Sequence, residues 1–246
     1  MNALAQLVAE PDGAGGARIT TLRSEAPLLL RPTPTGLHLL GGAAGPLGGD
    51  RLRLEVEVTA GASLTVRSVA ASIALPGPTG ATSTLDVEVS VGRGACLRWL
   101  PEPLVAAAGC RHRITLRLAV DRGATVVWRE ELVLGRHGEP GGSVVSRMAI
   151  DVAHRPLLRQ SIALGPDHAA WSSPAVGAGA RATGSVVVVG PTWAEASPPP
   201  TVLGGGRGAL LPLAGPGVQV AGLADDARSL RALLDEGLHL LLDGPR

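Results

Sequence analysis

Two short groups in this chain place metal donors together. Cys110-x-His112 and His137-x-Glu139 each set two donors on the same side of an extended strand. Imidazole suits nickel or zinc, so each pair could make a weak, transient metal contact. A stable site wants three or four ligands, and no further pair has suitable spacing. An exposed histidine beside a turn is the plainer account of both pairs. His38, His154, His168 and His239 stand alone. Glu130 and Glu131 are adjacent, so in a strand they point to opposite faces and cannot share a proton as a dyad. Gly177-x-Gly179-x-x-Ala182 has the outline of a dinucleotide loop. It follows Ser173-Pro174, however, and leads into the strand-like Val186 to Val189, so no helix N-terminus would face a pyrophosphate. There is no Gly-x-Ser-x-Gly elbow and no His-Glu-x-x-His helix.

Two other local groups are distinctive. Gly48-Gly49-Asp50-Arg51-Leu52 places Asp50 at the mouth of a strand after a glycine-rich turn. Glu131-Leu-Val-Leu-Gly-Arg136-His-Gly-Glu139 ends a strand and sets Arg136 and Glu139 three apart across a glycine-framed loop. Turn chemistry with a local ion pair accounts for the second group. If that pair were buried, removing one partner would cost several kcal/mol.

The composition removes whole classes of chemistry. Among 246 residues there is no Lys, Phe or Tyr, and all 22 basic residues are Arg, against 21 acidic ones. Without Lys there is no Walker A loop, Schiff base or pyridoxal enzyme. Without Phe or Tyr there is no aromatic platform for stacked bases, and a net charge of +1 gives no broad case for nucleic acid. Gly and Pro are abundant, at 34 and 20, but the 45% hydrophobic content supplies a core, so the chain folds. Met1 to Gly16 lacks the pattern of a signal peptide. The longest apolar stretch, Ala209 to Ala224, is broken by Pro212, Pro216 and Gln219, which argues against a membrane span. Two cysteines without an export signal imply reduced thiols and a cytoplasmic protein.

The elements that must hold these groups are strands. Leu52, Leu54, Val56 and Val58 alternate with Arg53, Glu55 and Glu57, and the pattern returns at Leu85 to Val91, Ile114 to Val120 and Val144 to Val152. One wet face per strand favours antiparallel over doubly buried parallel sheets. A repeat runs through the middle: Val58 to Val66, Val91 to Trp99 and Val120 to Trp128 share one frame, with Gly-Ala pairs starting at Gly61, Gly94 and Gly123. It fits either a set of similar hairpins or a stacked, solenoid-like repeat. The expected fold is all-β, mainly strands with a few helices, as layered antiparallel or mixed sheets of stacked hairpins with a C-terminal helix. Residues 1–190 form the β domain and 191–208 a Pro/Gly-rich loop. Residues 209–246 give a strand and a helix that pack on the same domain. Asp225 or Asp226 would cap that helix, which carries Leu230, Leu233, Leu234, Leu238 and Leu241.

Taken in order, these groups resemble the urease accessory protein UreD family, called UreH in some bacteria. The matching run is Gly-Gly-Asp50-Arg-Leu, then Gly61 to Ala71, Leu97-Arg-Trp-Leu-Pro-Glu-Pro103 and Glu130 to Glu139. Arg147-Met-Ala-Ile-Asp151 and Pro156-Leu-Leu-Arg-Gln-Ser161 follow. Ser72-Ile73-Ala74 departs from the Thr-Lys-aromatic usual in the family. The resemblance implies a largely β, non-catalytic scaffold that binds urease apoprotein and UreF, which recruits the GTPase UreG. Together these deliver nickel(II) to the urease active site, the ion being in transit through an internal passage and not tightly bound. On that implication Asp50 and Glu139 are the carboxylates along the passage, and Arg136 orients Glu139. Singly held oxygen ligands suit a passing divalent ion, because a full cage would trap it. Two other functions are compatible with the residues. One is a metal-dependent enzyme built on Cys110, His112, His137 and Glu139, and the other is a protein- or carbohydrate-binding β module without a metal role.

Overall fold

The structure, a computed structural model, describes residues 1–242. The first strands are β1 (Asn2–Pro11), β2 (Ala17–Arg23), β3 (Leu28–Thr33), β4 (Gly36–Gly41), β5 (Arg51–Val58) and β6 (Ser63–Ser68). There follow β7 (Ser72–Ala74), β8 (Ser83–Val91), β9 (Cys96–Leu100), β10 (Leu104–Ala106), β11 (Arg111–Val120) and β12 (Thr125–Leu134). The chain ends with β13 (Ser143–Val152), β14 (Arg155–Leu164), β15 (Ala182–Val189), α1 (Thr192–Glu195), β16 (Thr201–Leu203), β17 (Gly208–Pro212), β18 (Gly217–Ala224) and α2 (Ala227–Leu242).

These strands make two layers. The first sheet has the order β14-β13-β11-β8-β5-β1-β2, and the second β16-β17-β18-β15-β12-β9-β6-β4-β3. Beside the second, β10 pairs with both β12 and β7. The mainly β, layered fold with a C-terminal helix is as expected. The Pro/Gly-rich 191–208 segment, read as a loop, carries the helical turn α1 and the short strand β16.

The Gly-Ala repeat is neither decorative nor a row of hairpins. Each copy is an arch that leaves the first sheet and enters the second: β5 to β6, β8 to β9, β11 to β12. In the first sheet β5, β8 and β11 pair in parallel, and in the second so do β6, β9 and β12. The arches therefore stack as a short solenoid. Gly61, Gly94 and Gly123 hold φ of +75°, +65° and +75°, a left-handed conformation that a Cβ disfavours. Backbone bonds link the corners, from Gly61 N to Arg93 O, Cys96 N to Ala62 O and Thr125 N to Ala95 O.

The expectation of antiparallel pairing fails here for a physical reason. Parallel sheets are usually wet on neither face because helical crossovers cover them. In this fold the crossover is a strand of the opposite sheet, so no crossover covers the outward faces and the alternation survives. Antiparallel pairing is confined to the flanks, at β1 with β2, β13 with β14, β3 with β4, and β12-β15-β18-β17-β16.

Leu54, Val56, Leu64, Val87, Leu97 and Leu118 fill the space between the sheets, together with Trp99 and Trp128. The last positions of the repeat, Val66, Trp99 and Trp128, become neighbouring rungs. The two indoles stack with centroids 4.6 Å apart and planes 4° from parallel. A second cluster lies on the outer side of the larger sheet, where Leu230, Leu233, Leu234 and Leu241 of α2 pack on Val186, Val218 and Val220. Asp226 Oδ1 accepts from Ser229 N at 2.7 Å and caps the helix.

Candidate functional site

Next to the indole stack, reaching between the sheets and open to solvent at the exposed segments 43–44 and 69–73, lies a cavity of about 600 Å³. Its walls are largely apolar, with Leu52, Leu54, Leu85 and Ile114 from one sheet and Leu39, Trp99, Trp128 and Leu132 from the other. The segments 43–46 and 68–73 also line it, as do Pro101 and Glu102.

Three carboxylates, Glu102, Glu130 and Glu131, are among the lining residues, and Glu130 is the one on the inward face of its strand. Along β12 the inward positions are Val126, Trp128, Glu130, Leu132 and Leu134, and all but Glu130 are buried and apolar. Glu130 is enclosed by protein yet keeps some accessible surface, as a side chain facing a cavity does. Its Oε1 accepts from Ser146 Oγ on β13 at 2.6 Å. Burial pushes its carboxyl above the usual range, and the Ser146 bond only partly opposes this.

Glu131 points the other way, as the two-residue period requires. It lies under α2, where Oε1 accepts from Arg231 Nε at 2.5 Å and lies 3.7 Å from Arg129 Nε. Arg129 also bonds Asp235 of α2, and Arg231 reaches Glu102. Burial raises the Glu131 carboxyl, and Arg231 and Arg129 work against the rise. The adjacent acids thus serve two different surfaces of one strand, and no dyad forms.

Asp50 and Glu139 are both absent from the cavity lining. Asp50 is buried at the start of β5, where Oδ2 accepts from Leu47 N at 2.9 Å and Oδ1 from the Met1 amino group. Asp50 therefore braces the turn whose neighbours Gly45 and Pro46 form part of the wall. Glu139 accepts from Arg136 N, Nε and Nη2 at 2.9 to 3.0 Å, and from Ala108 N at 3.3 Å. Those bonds, the Arg136 guanidinium foremost, hold its carboxyl down at about 2. Arg136 is bonded to Glu139, but the pair is not buried. The Arg136 side chain is 58% exposed, so the large cost of breaking a buried pair does not apply.

The other donor groups stay apart. Cys110 is packed against Val144 and Leu164, and burial lifts its thiol to about 11. His112 is buried on β11 with Nδ1 2.8 Å from Ser83 Oγ and Nε2 without a partner. Desolvation lowers the imidazole to about 4. Among the described residues no three His, Cys, Asp or Glu side chains gather closely enough to hold a metal ion. Gly177 sits against the Trp171 carbonyl in a turn that runs straight into β15, so the dinucleotide-like pattern has no helix. Glu130 is the residue that motif reading passed over. Its signal was an acid at an inward position of an otherwise apolar strand.

Among the described residues no helix is long and apolar enough to cross a membrane. The family described as "UreD urease accessory protein" matches residues 1–244. Urease accessory protein UreD 3 of Streptomyces griseus is 46% identical, with 99% of this chain and 98% of that protein covered. UreD of Parafrankia is also 46% identical, over 96% of this chain and 87% of its own length. UreD of Streptomyces avermitilis is 42% identical over 98% of both chains. Matched along nearly its whole length, the chain belongs to the UreD family of urease accessory proteins.

Proposed function

We propose that this protein is a non-catalytic, cytoplasmic scaffold. It binds urease apoprotein and UreF, with UreG joining through UreF, and helps deliver nickel(II) to the urease active site. Nickel is cargo in this reading and is never caged. The observation that carries it is Glu130, a carboxyl held between the sheets by a single hydroxyl donor and lining a cavity that opens to solvent. A carboxyl whose burial makes it hold its proton more tightly than usual is a weak resting ligand. A divalent ion entering the cavity stabilises the ionised form, takes one oxygen ligand as the proton leaves, and is not trapped. Asp50 and Glu139 act at the approaches, and Arg136 fixes Glu139 there.

The test is nickel loading of urease coexpressed with its accessory proteins and each variant of this chain. Glu130→Gln, nearly isosteric and uncharged, is expected to leave partner binding intact and to lower nickel per urease active site several-fold. Asp50→Asn and Glu139→Gln should give smaller losses. Undiminished nickel content with Glu130→Gln, in a complex that still assembles, overturns the passage. Normal urease activation in a strain lacking this protein overturns the scaffold reading as well.

A further inference from the structure

The outward face of the larger sheet is only half covered. Helix α2 packs on β12, β15, β16, β17 and β18, and has no comparable packing on β9, β6, β4 or β3. Those four strands contain three arginines, one histidine and no acidic residue. Register places the basic residues together and outward. Arg31 pairs with His38 and His38 with Arg67, while their neighbours Leu30, Leu37 and Val66 point into the core. One row along, Thr65 pairs with Arg98. Arg31, Arg67 and Arg98 are exposed, and among the described residues none forms a salt bridge or donates a side-chain hydrogen bond.

The contrast with the other sheet shows that this is not merely an arginine-rich surface. The outward face of β5 and β8 intersperses Glu55, Glu57, Asp86 and Glu88 with its arginines, and Glu88 bonds both Arg53 and Arg117. The bare half-face has no such internal partner. Its row continues beyond Arg67: Arg67 pairs with Leu100, which follows Trp99, and Arg129 follows Trp128, the partner of Trp99 at the end of the β9–β12 ladder. Arg129 is the arginine of this row that already has its counter-ion, and that carboxylate, Asp235, comes from a helix lying on the sheet.

We propose that the bare half-face docks an acidic amphipathic helix of a protein partner, laid beside α2, whose carboxylates take Arg31, Arg67 and Arg98. One strand, β4, lies between Arg31 and Arg67, so they stand two strand spacings apart, about 10 Å. Carboxylates seven residues apart on one helix face stand about 10 Å apart as well. Arginine forks suit such carboxylates, each pairing through two parallel hydrogen bonds. Leu29 pairs with Leu40 on the row beside Arg31 and His38, and this half-buried pair at the cavity wall gives the helix a short apolar strip to cover. This docking is independent of nickel passage, so either can fail alone.

The experiment uses a fluorescein-labelled, alanine-based helical peptide carrying Glu at positions i, i+4, i+7 and i+11, and its counterpart with Gln at those positions. Fluorescence anisotropy with the full chain at low salt should show binding of the Glu peptide and not of the Gln peptide. Binding should weaken at least tenfold with Arg31→Glu/Arg67→Glu/Arg98→Glu. The single variant Arg67→Gln should weaken it about threefold and covers the case in which the triple variant does not fold. Arg51→Glu/Arg113→Glu/Arg147→Glu, on the outward face of the other sheet, should leave it within twofold. Equal binding by wild type and Arg67→Gln overturns the proposal, as does equal loss in the control triple. Tighter binding of a 20-nucleotide single-stranded DNA at the same salt overturns it in favour of nucleic acid.

Discussion

Glu130 Oε1 and Ser146 Oγ, 2.6 Å apart, join the two sheets at the edge of the cavity. One residue comes from the last arch of the solenoid and the other from the strand that follows it. A second polar link, Gln219 Nε2 to Gln160 Oε1 at 2.6 Å, also joins the layers, whose core between them is apolar.

The pair should separate stability from function. The Glu130 carboxyl is raised in the folded state, so its favourable contribution is full below about pH 4.5 and is lost as pH rises through the raised value. Glu130→Gln, neutral throughout, should flatten that part of the stability–pH curve. At pH 8 it should be at least as stable as the parent, while nickel delivery falls. Ser146→Ala should cost about 1–3 kcal/mol near neutral pH, because the buried acid loses its donor. Urea unfolding at several pH values reads both effects.

His112 titrates in the opposite sense. Its folded value near 4 lies below the ordinary 6.5, so the stability carried by the neutral ring is full above pH 6.5 and is lost as pH falls toward 4. The loss should be on the order of 3 kcal/mol at most. His112→Gln should remove this acid slope, and the imidazole signals in NMR titration should stay neutral well below pH 6.

Under α2, Glu131 is buried and depends on Arg231 and Arg129 for its charge balance. Arg231→Ala should cost up to about 3 kcal/mol, less than a fully enclosed pair because the Arg231 side chain is 27% exposed. Arg231→Ala/Glu131→Leu should recover much of the loss. Release of the helix is readable as protease cleavage between β18 and α2.

At the surface loop, Glu139→Gln should weaken the bonds to Arg136 and Ala108. The expected result is faster amide exchange at those two residues with an unchanged global unfolding midpoint. Because the carboxyl is held near 2, the wild-type loop should keep its protection until the pH falls toward that value.

Gly94 lies in the middle corner of the stacked arches at φ +65°. Open space surrounds its missing Cβ, so the cost of a side chain there is conformational and not steric with neighbours. Gly94→Ala should destabilise by about 1–2 kcal/mol by urea unfolding. Gly92→Ala should cost more, because a Cβ at that position would lie 2.7 Å from Ala60 N.

The sequence alone determined the strands, the frame of the repeat and the capped C-terminal helix, because periodicity and turn residues are local properties of the chain. It also carried the family, through ordered motifs such as Gly49-Asp50-Arg51 and Gly135-Arg136. The path of each arch was not local. Alternation in β5 and β8 is the same whether the chain turns back beside itself or crosses to another sheet, so hairpins and stacked arches read alike. Only the tertiary structure decided that Gly61, Gly94 and Gly123 are corners and that the sheets' centres are parallel. It also reassigned the acids. Asp50 and Glu139, set off by glycines, proved to be bound to nearby backbone and ion-pair partners. Glu130, marked only by its place in an apolar run, proved to face the cavity. Which carboxylate meets empty space depends on what the opposite sheet places across from it, and no spacing within one strand encodes that.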